Sequence, residues 1–281
     1  HRHALMNTST PWQGLALLAF GAAGLACSDS GQPFVPPVPD SFVVQAYVFA
    51  GEPIDQVYVT GMLPIDAEEG DVAPPDRDAA ITILRGPDRF DLVPMPGEPG
   101  RYHFEGDPAI QVGDDLTLQV SYDGKNASAT TTVPPAPLGL ELSSDELDAF
   151  DPFSDFGGVE ELLSRRIVVR WSNPADRLHF VAIDNLEVDP TILPTTELVA
   201  DALPRIITEP TPFDSTVVPQ ILLTHYGDHR VRLYRVNYEY AELYQGLTQD
   251  SRNLNEPPSN IDGALGIFSA FASDSAFFTV R

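Results

Sequence analysis

The chain has 281 residues, of which 43% are hydrophobic and 20% charged, which supports a buried core and excludes a wholly disordered chain. Sixteen Lys and Arg stand against 41 Asp and Glu, a net charge of −25, which argues against nucleic acid as a partner because phosphate binding needs a basic surface. One cysteine excludes an internal disulfide framework and a Cys-based zinc site, and 27 prolines disfavour a long-helix architecture.

The acidity is even along the chain: residues 28–137 and residues 138–281 each carry −13. Lys125 is the only lysine. Such a surface fits a solvated, self-repelling protein, and it equally fits adaptation to high salt, where screening removes the repulsion.

Leu15 to Leu25 is an unbroken run of eleven apolar residues. A bilayer span needs about 20, so the run reads as the apolar region of a secretory signal. Gly24-Leu-Ala-Cys27 closes it, followed by polar Ser28-Asp-Ser30. This resembles a bacterial lipoprotein signal. The resemblance implies a signal peptide over 1–26, cleavage before Cys27, and lipid attachment at that thiol. A Pro-rich tether over 27–40 would then hold the first domain off the membrane.

Residues 41–137 read as a β-sandwich domain. Seven short strands are predicted, at 42–49, 56–60, 80–84, 90–93, 101–105, 116–122 and 127–133. Gly86-Pro87 stops the third. Asp123-Gly124 signals a tight hairpin. Ile65 to Asp78, acidic and Pro-rich, reads as an exposed loop. Pro99-Gly-Arg-Tyr102 resembles the Pro-Gly-x-Tyr turn of immunoglobulin-like and carboxypeptidase-regulatory-like sandwiches. The strands are expected to pair antiparallel, and the Pro134-Pro-Ala-Pro137 run ends the unit.

Residues 138–281 read as a β-rich C-terminal domain. Val159 to Arg165 suggests a helical turn or two. Strands are expected at Ile167–Ser172 and Leu178–Leu186, with Asp189 to Thr216 irregular. Val218–Thr224 and Val231–Val236 are expected to pair across Tyr226-Gly-Asp228. Asn237 reads as a helix N-cap, and Tyr240, Leu243, Tyr244 and Leu247 repeat at helical spacing, so an amphipathic helix is predicted over Tyr238–Gln249, its aromatic stripe facing a core. Leu265–Phe271 and Ala276–Val280 are predicted as two closing strands. The fold class is therefore all-β in the main, with one helix.

Several motifs occur in an order that resembles a known family. They are the lipoprotein cysteine, the Val43-Val-Gln-Ala-Tyr-Val48 strand, the Pro-Gly-x-Tyr turn and the Asp-Gly hairpin. Val231-Arg-Leu-Tyr-Arg-Val-Asn-Tyr-Glu-Tyr-Ala-Glu-Leu-Tyr244 and Pro258-Ser-Asn-Ile-Asp-Gly-Ala-Leu-Gly-Ile-Phe268 follow. The chain resembles the bacterial, Bacteroidota-like lipoprotein family catalogued as domain of unknown function 4249, and its last segment is the most specific feature. Ala264 stands where the family pattern has a second Gly.

The resemblance implies an outer-membrane lipoprotein, on either face of that membrane, encoded beside TonB-dependent receptors. The implied function is a non-catalytic binding or accessory protein working with a TonB-dependent outer-membrane transporter. A structural or adhesive surface lipoprotein is the first alternative, and an envelope hydrolase with an unrecognised site the second. No catalytic residue carries over, and neither cofactor nor metal is expected.

Gly263 and Gly266 are expected to allow a bulge or a close backbone approach. With Asn260 they form the candidate binding loop. His225 and His229 lie four apart but flank a turn, where that spacing does not share a face. Asp145 to Asp155 offers oxygen ligands for calcium but lacks EF-hand spacing. His103 and His179 fall within strands and read as structural.

Overall fold

A computed structural model of the protein describes residues 41–62, 78–150, 160–161, 164–194, 205–247 and 259–281. The expected signal peptide, Cys27 and the expected tether lie outside these residues. So do most of the Ile65–Asp78 loop, Asp151, Asp155, part of the Val159–Arg165 turn, part of the Asp189–Thr216 stretch, and the side chains of Leu243, Tyr244 and Leu247.

Alternation of apolar and polar residues sets the first seven strands: β1 (Phe42–Phe49), β2 (Gln56–Gly61), β3 (Ala80–Arg85), β4 (Asp88–Pro94), β5 (Arg101–His103), β6 (Asp115–Tyr122) and β7 (Lys125–Thr132). In β1, Phe42, Val44, Ala46 and Val48 point inward and are all but fully buried. In β6, Leu116, Leu118 and Val120 do the same. The β6–β7 hairpin turns at Asp123 (φ 46°) and Gly124 (φ 73°), between the Tyr122–Lys125 pair. Two successive positive φ values are what a type I′ turn requires, which explains the Asp-Gly pair. Gly100 (φ 82°) makes the Pro-Gly-x-Tyr turn, and Tyr102 behind it is fully buried, its hydroxyl accepting from the Ala79 amide at 3.0 Å.

The strands after residue 137 are β8 (Leu138–Leu142), β9 (Glu146–Leu147), β10 (Arg166–Ser172), β11 (His179–Asn185), β12 (Arg205–Ile207), β13 (Ser215–Pro219), β14 (Gly227–Arg235) and β15 (Leu265–Val280). The helix α1 covers Tyr238–Leu247. The protein is thus mainly β, with a large mixed sheet in the order β12-β11-β14-β15-β1-β2-β5-β4-β3-β6-β7 and a smaller β13-β10-β8 sheet. Residues 38–281 form one unit.

Three pairings differ from the sequence expectations. First, β1 runs parallel to β15, from Val43 opposite Leu265 to Phe49 opposite Phe271. Parallel neighbours need a long crossover, and here more than two hundred residues separate the strands. Second, the two expected closing strands are one. Ser273 to Ser275 is polar where β15 has changed partner, from β1 to β14, and Asp274 and Ser275 are exposed at the change. Third, β13 does not pair with β14. Pro219 ends β13, and a 3-10 turn over Gln220–Leu222 redirects the chain. Leu193 and Tyr226 then tie 191–193 to 224–226 by backbone bonds of 2.9 and 2.8 Å. β13 pairs with β10 instead, and β14 with β11 and β15.

Among the described residues, three apolar clusters fill the fold. The first draws on β1 to β7 and on Ile261, Phe268 and Ala270 from the C-terminal end. The second lies among β9, β10, β11, β13, β14 and the last residues of β15. The third is aromatic: Phe180, Tyr234 and Phe271, with Tyr47, Phe49 and Tyr240 packed on them. Tyr240 of α1 meets Phe271 at 4.9 Å and Phe180 at 5.6 Å between ring centroids, so the described part of the helical stripe faces a core.

Asn237 stands just before α1, and its carbonyl accepts from the Ala241 amide at 3.4 Å. Its side-chain amide donates away from the helix, to Thr131 Oγ1 (3.0 Å) and the Thr132 carbonyl (2.8 Å) of β7.

Candidate functional site

Period-two alternation sends the polar residues of β3, β4, β6 and β7 outward while their apolar neighbours fill the first core. Register then lines them up. Asp91 pairs with Thr82, Thr82 with Gln119, Gln119 with Ser128, and Ser128 with Asp262. Five polar side chains therefore form one row across four strands and the segment before β15. Four interstrand steps of about 4.8 Å make the row roughly 19 Å long.

This row crosses an open cleft of about 490 Å³, lined among others by Thr82, Arg89, Gln119, Asn126, Ser128 and Asp262. At one end Thr82 Oγ1 donates to Asp91 (2.7 Å) and accepts from Arg89 (3.0 Å), and Arg89 Nε also reaches Asp91 (2.8 Å). The Arg89 guanidinium, and then the Thr82 hydroxyl, hold the Asp91 carboxyl below its ordinary range. At the other end the Asp262 backbone is locked to Ser128 by reciprocal bonds of 2.9 and 2.8 Å. The side chains of Gln119, Ser121, Asn126, Ser128 and Asp262 make no hydrogen bond with any described residue. They face the cleft uncommitted.

The candidate loop contributes one residue, Asp262, to the lining of this cleft. At Gly263 (φ 85°) a Cβ would lie 2.3 Å from the Asn126 carbonyl oxygen, and at Gly266 (φ 123°) 1.8 Å from that of Val44. Both positions need glycine for conformation and for close approach. Asn260 holds the backbone of Phe268 from both sides: its Oδ1 accepts from the Phe268 amide (2.9 Å) and its Nδ2 donates to the carbonyl (2.7 Å). These three residues fix the segment, and the residue they present to the cleft is Asp262. Sequence reading passed over Asp262, Thr82, Gln119 and Ser128. Thr82, Gln119 and Ser128 fall within predicted strands whose alternation was visible, but Asp262 lies outside the strands and the row depends on register.

Other candidates fall elsewhere. His229 is buried and stacked on Phe278, with Nδ1 against the Gly227 carbonyl (2.9 Å) and Nε2 facing the Asn185 amide (3.3 Å). Burial holds its pKa down. His225 Nδ1 meets Thr224 Oγ1 at 2.6 Å. His179 is buried beside Trp171, also with a pKa lowered by burial. Among the described residues no group of three His, Cys, Asp or Glu could hold a metal ion. Asp184 gathers Arg205 (2.9 Å), Arg232 (3.0 Å) and Arg230 (3.4 Å), and Arg232 also reaches Glu52 (3.3 Å). Those charges answer one another across strands.

Comparison with known proteins adds three findings. No curated protein matches the chain. A solved structure described as "Structural insight into host cell surface retention of a 1.5-MDa bacterial ice-binding adhesin" aligns at 12% identity and a TM-score of 0.21, covering 85% of this chain and 64% of its own. The chain thus spans about 64% of the length of that structure. The family model for Domain of unknown function (DUF4249) matches residues 32–276, and the chain belongs to that family.

Proposed function

We propose that this chain is a lipid-anchored envelope protein that binds a ligand without transforming it, beside a TonB-dependent outer-membrane transporter. One observation supports the binding role. The segment that carries the most specific motif, Ser259 to Phe268, contributes Asp262 to the lining of the polar cleft, and it is held in place by Asn260, Gly263 and Gly266. Hydroxyls, amides and an internally balanced Arg89–Asp91 pair suit recognition by hydrogen bonds. The anchor is inferred from Cys27 at the end of the apolar run, where several acyl chains at about 0.8 kcal/mol per buried methylene make attachment lasting. The transporter is inferred from the family resemblance.

Membrane fractionation and crosslinking in the native host test this reading, with wild type compared to Cys27→Ala. The expected result is that wild type alone sediments with outer membranes and captures a β-barrel receptor. Membrane attachment without a receptor overturns the transporter partnership. Unchanged fractionation of Cys27→Ala overturns the anchor.

A further inference from the structure

We infer that the polar cleft binds an uncharged, hydroxyl-rich chain, an oligosaccharide, laid along the Asp91–Thr82–Gln119–Ser128–Asp262 row. The inference rests on the binding role proposed above and names the ligand class.

The row narrows the chemistry by what it offers. Gln119 and Ser128 each supply both a donor and an acceptor, and Asp262 supplies acceptors; none is engaged by a described residue. A polyol presents the matching set, because every hydroxyl donates once and accepts twice. The cation lining the cleft, Arg89, already holds Asp91 at 2.8 Å, so a phosphate or carboxylate ligand would have to displace that carboxylate. An extended peptide usually joins a free strand edge or inserts apolar anchors. Here β3 and β6 are paired on both sides, β7 is bridged to Asp262, and the row holds no apolar side chain. A cation would gather carboxylates, but Asp91 and Asp262 stand at opposite ends of a row of about 19 Å. The row's length fits several sugar units rather than one.

Thr82 adds rigidity. It is buried although polar, and its hydroxyl is fixed between Asp91 and Arg89. Asp262 is fixed through its backbone to Ser128. Both ends of the row are therefore set before a ligand arrives, which lowers the ordering cost of binding.

Affinity electrophoresis tests the inference. The full chain in detergent is run in gels containing dextran, soluble starch, xyloglucan or mannan, with polygalacturonate as an acidic comparison. Retardation in at least one neutral gel is expected, with affinity at least tenfold weaker for Gln119→Ala/Ser128→Ala at an unchanged melting temperature, since both side chains are exposed. No retardation by any neutral polysaccharide overturns the inference. So does equal retardation of the double variant, or retardation by polygalacturonate alone. Receptor capture in the crosslinking experiment without retardation here sinks the oligosaccharide and leaves the accessory role standing. Retardation without capture does the reverse.

Discussion

Gly97 and Gly266 both sit at positive φ, but only one of them is also crowded. A Cβ at Gly97 (φ 81°) meets nothing within 4 Å, whereas at Gly266 it would overlap the Val44 carbonyl. Gly97→Ala should therefore cost about 1 kcal/mol through conformation alone. Gly266→Ala should cost about 3 kcal/mol, because β15 must move off β1. Urea unfolding of both variants checks the contrast, and equal losses would contradict it. His229 makes a second prediction at this scale. Burial lowers its folded pKa below the ordinary 6.5, so the unfolded chain takes up the proton first as pH falls. Stability from this group is complete above about pH 6.5 and is lost as pH drops below it. His229→Gln should flatten the pH dependence of unfolding between pH 7 and 5. A slope unchanged from wild type would assign the acid sensitivity elsewhere, His179 being the next group with a lowered pKa. The special backbone of Gly263 and Gly266 was legible as glycine within a strand-like run. Asp262 was not, since one carboxylate among 41 acids carries no signal until its neighbours are known.

Glu239, in the first turn of α1, links elements that are far apart in sequence. Its carboxylate accepts from Thr131 of β7 (2.8 Å) and Ser269 of β15 (3.2 Å), and Asn237 adds its bonds to β7. Glu239→Ala should cost about 2 kcal/mol, the scale of hydrogen bonds to a charged group. Amide exchange should speed up along β7 and the first half of β15 more than along β10. Uniform acceleration would mean that the helix start clamps nothing in particular. The first seven strands and the helix were readable because each declares itself locally, by alternation, by Asp123-Gly124, or by Tyr240 at helical spacing. The pairing of Val218–Thr224 with Val231–Val236 misled because adjacency in sequence favours a hairpin, whereas Pro219 and the 3-10 turn send the chain elsewhere.

A net charge of −25 is a property of the whole molecule, and its consequence is global. Raising NaCl from about 0.1 to about 1 M shortens the screening length from about 10 to about 3 Å. Repulsion among carboxylates should weaken, and the melting temperature should rise by about 3 °C, corresponding to about 1 kcal/mol for a chain of this size. A constant or falling melting temperature would show that the surface acids are already offset by neighbouring arginines. The ion pairs around Asp184 are placed to do so on one sheet face.

By itself the sequence determined the β class, the first seven strands, the best helix, the family, and the loop whose glycines permit close backbone approach. Those features depend on neighbours within a few residues, or on motifs that keep their order. The tertiary structure decided that β15 lies parallel to β1 and then crosses to β14, that Asp262 docks on Ser128, and that five polar residues from distant segments form a single row. Each depends on register between strands far apart in the chain, and shifting one strand by a single residue would turn every side chain to the opposite face.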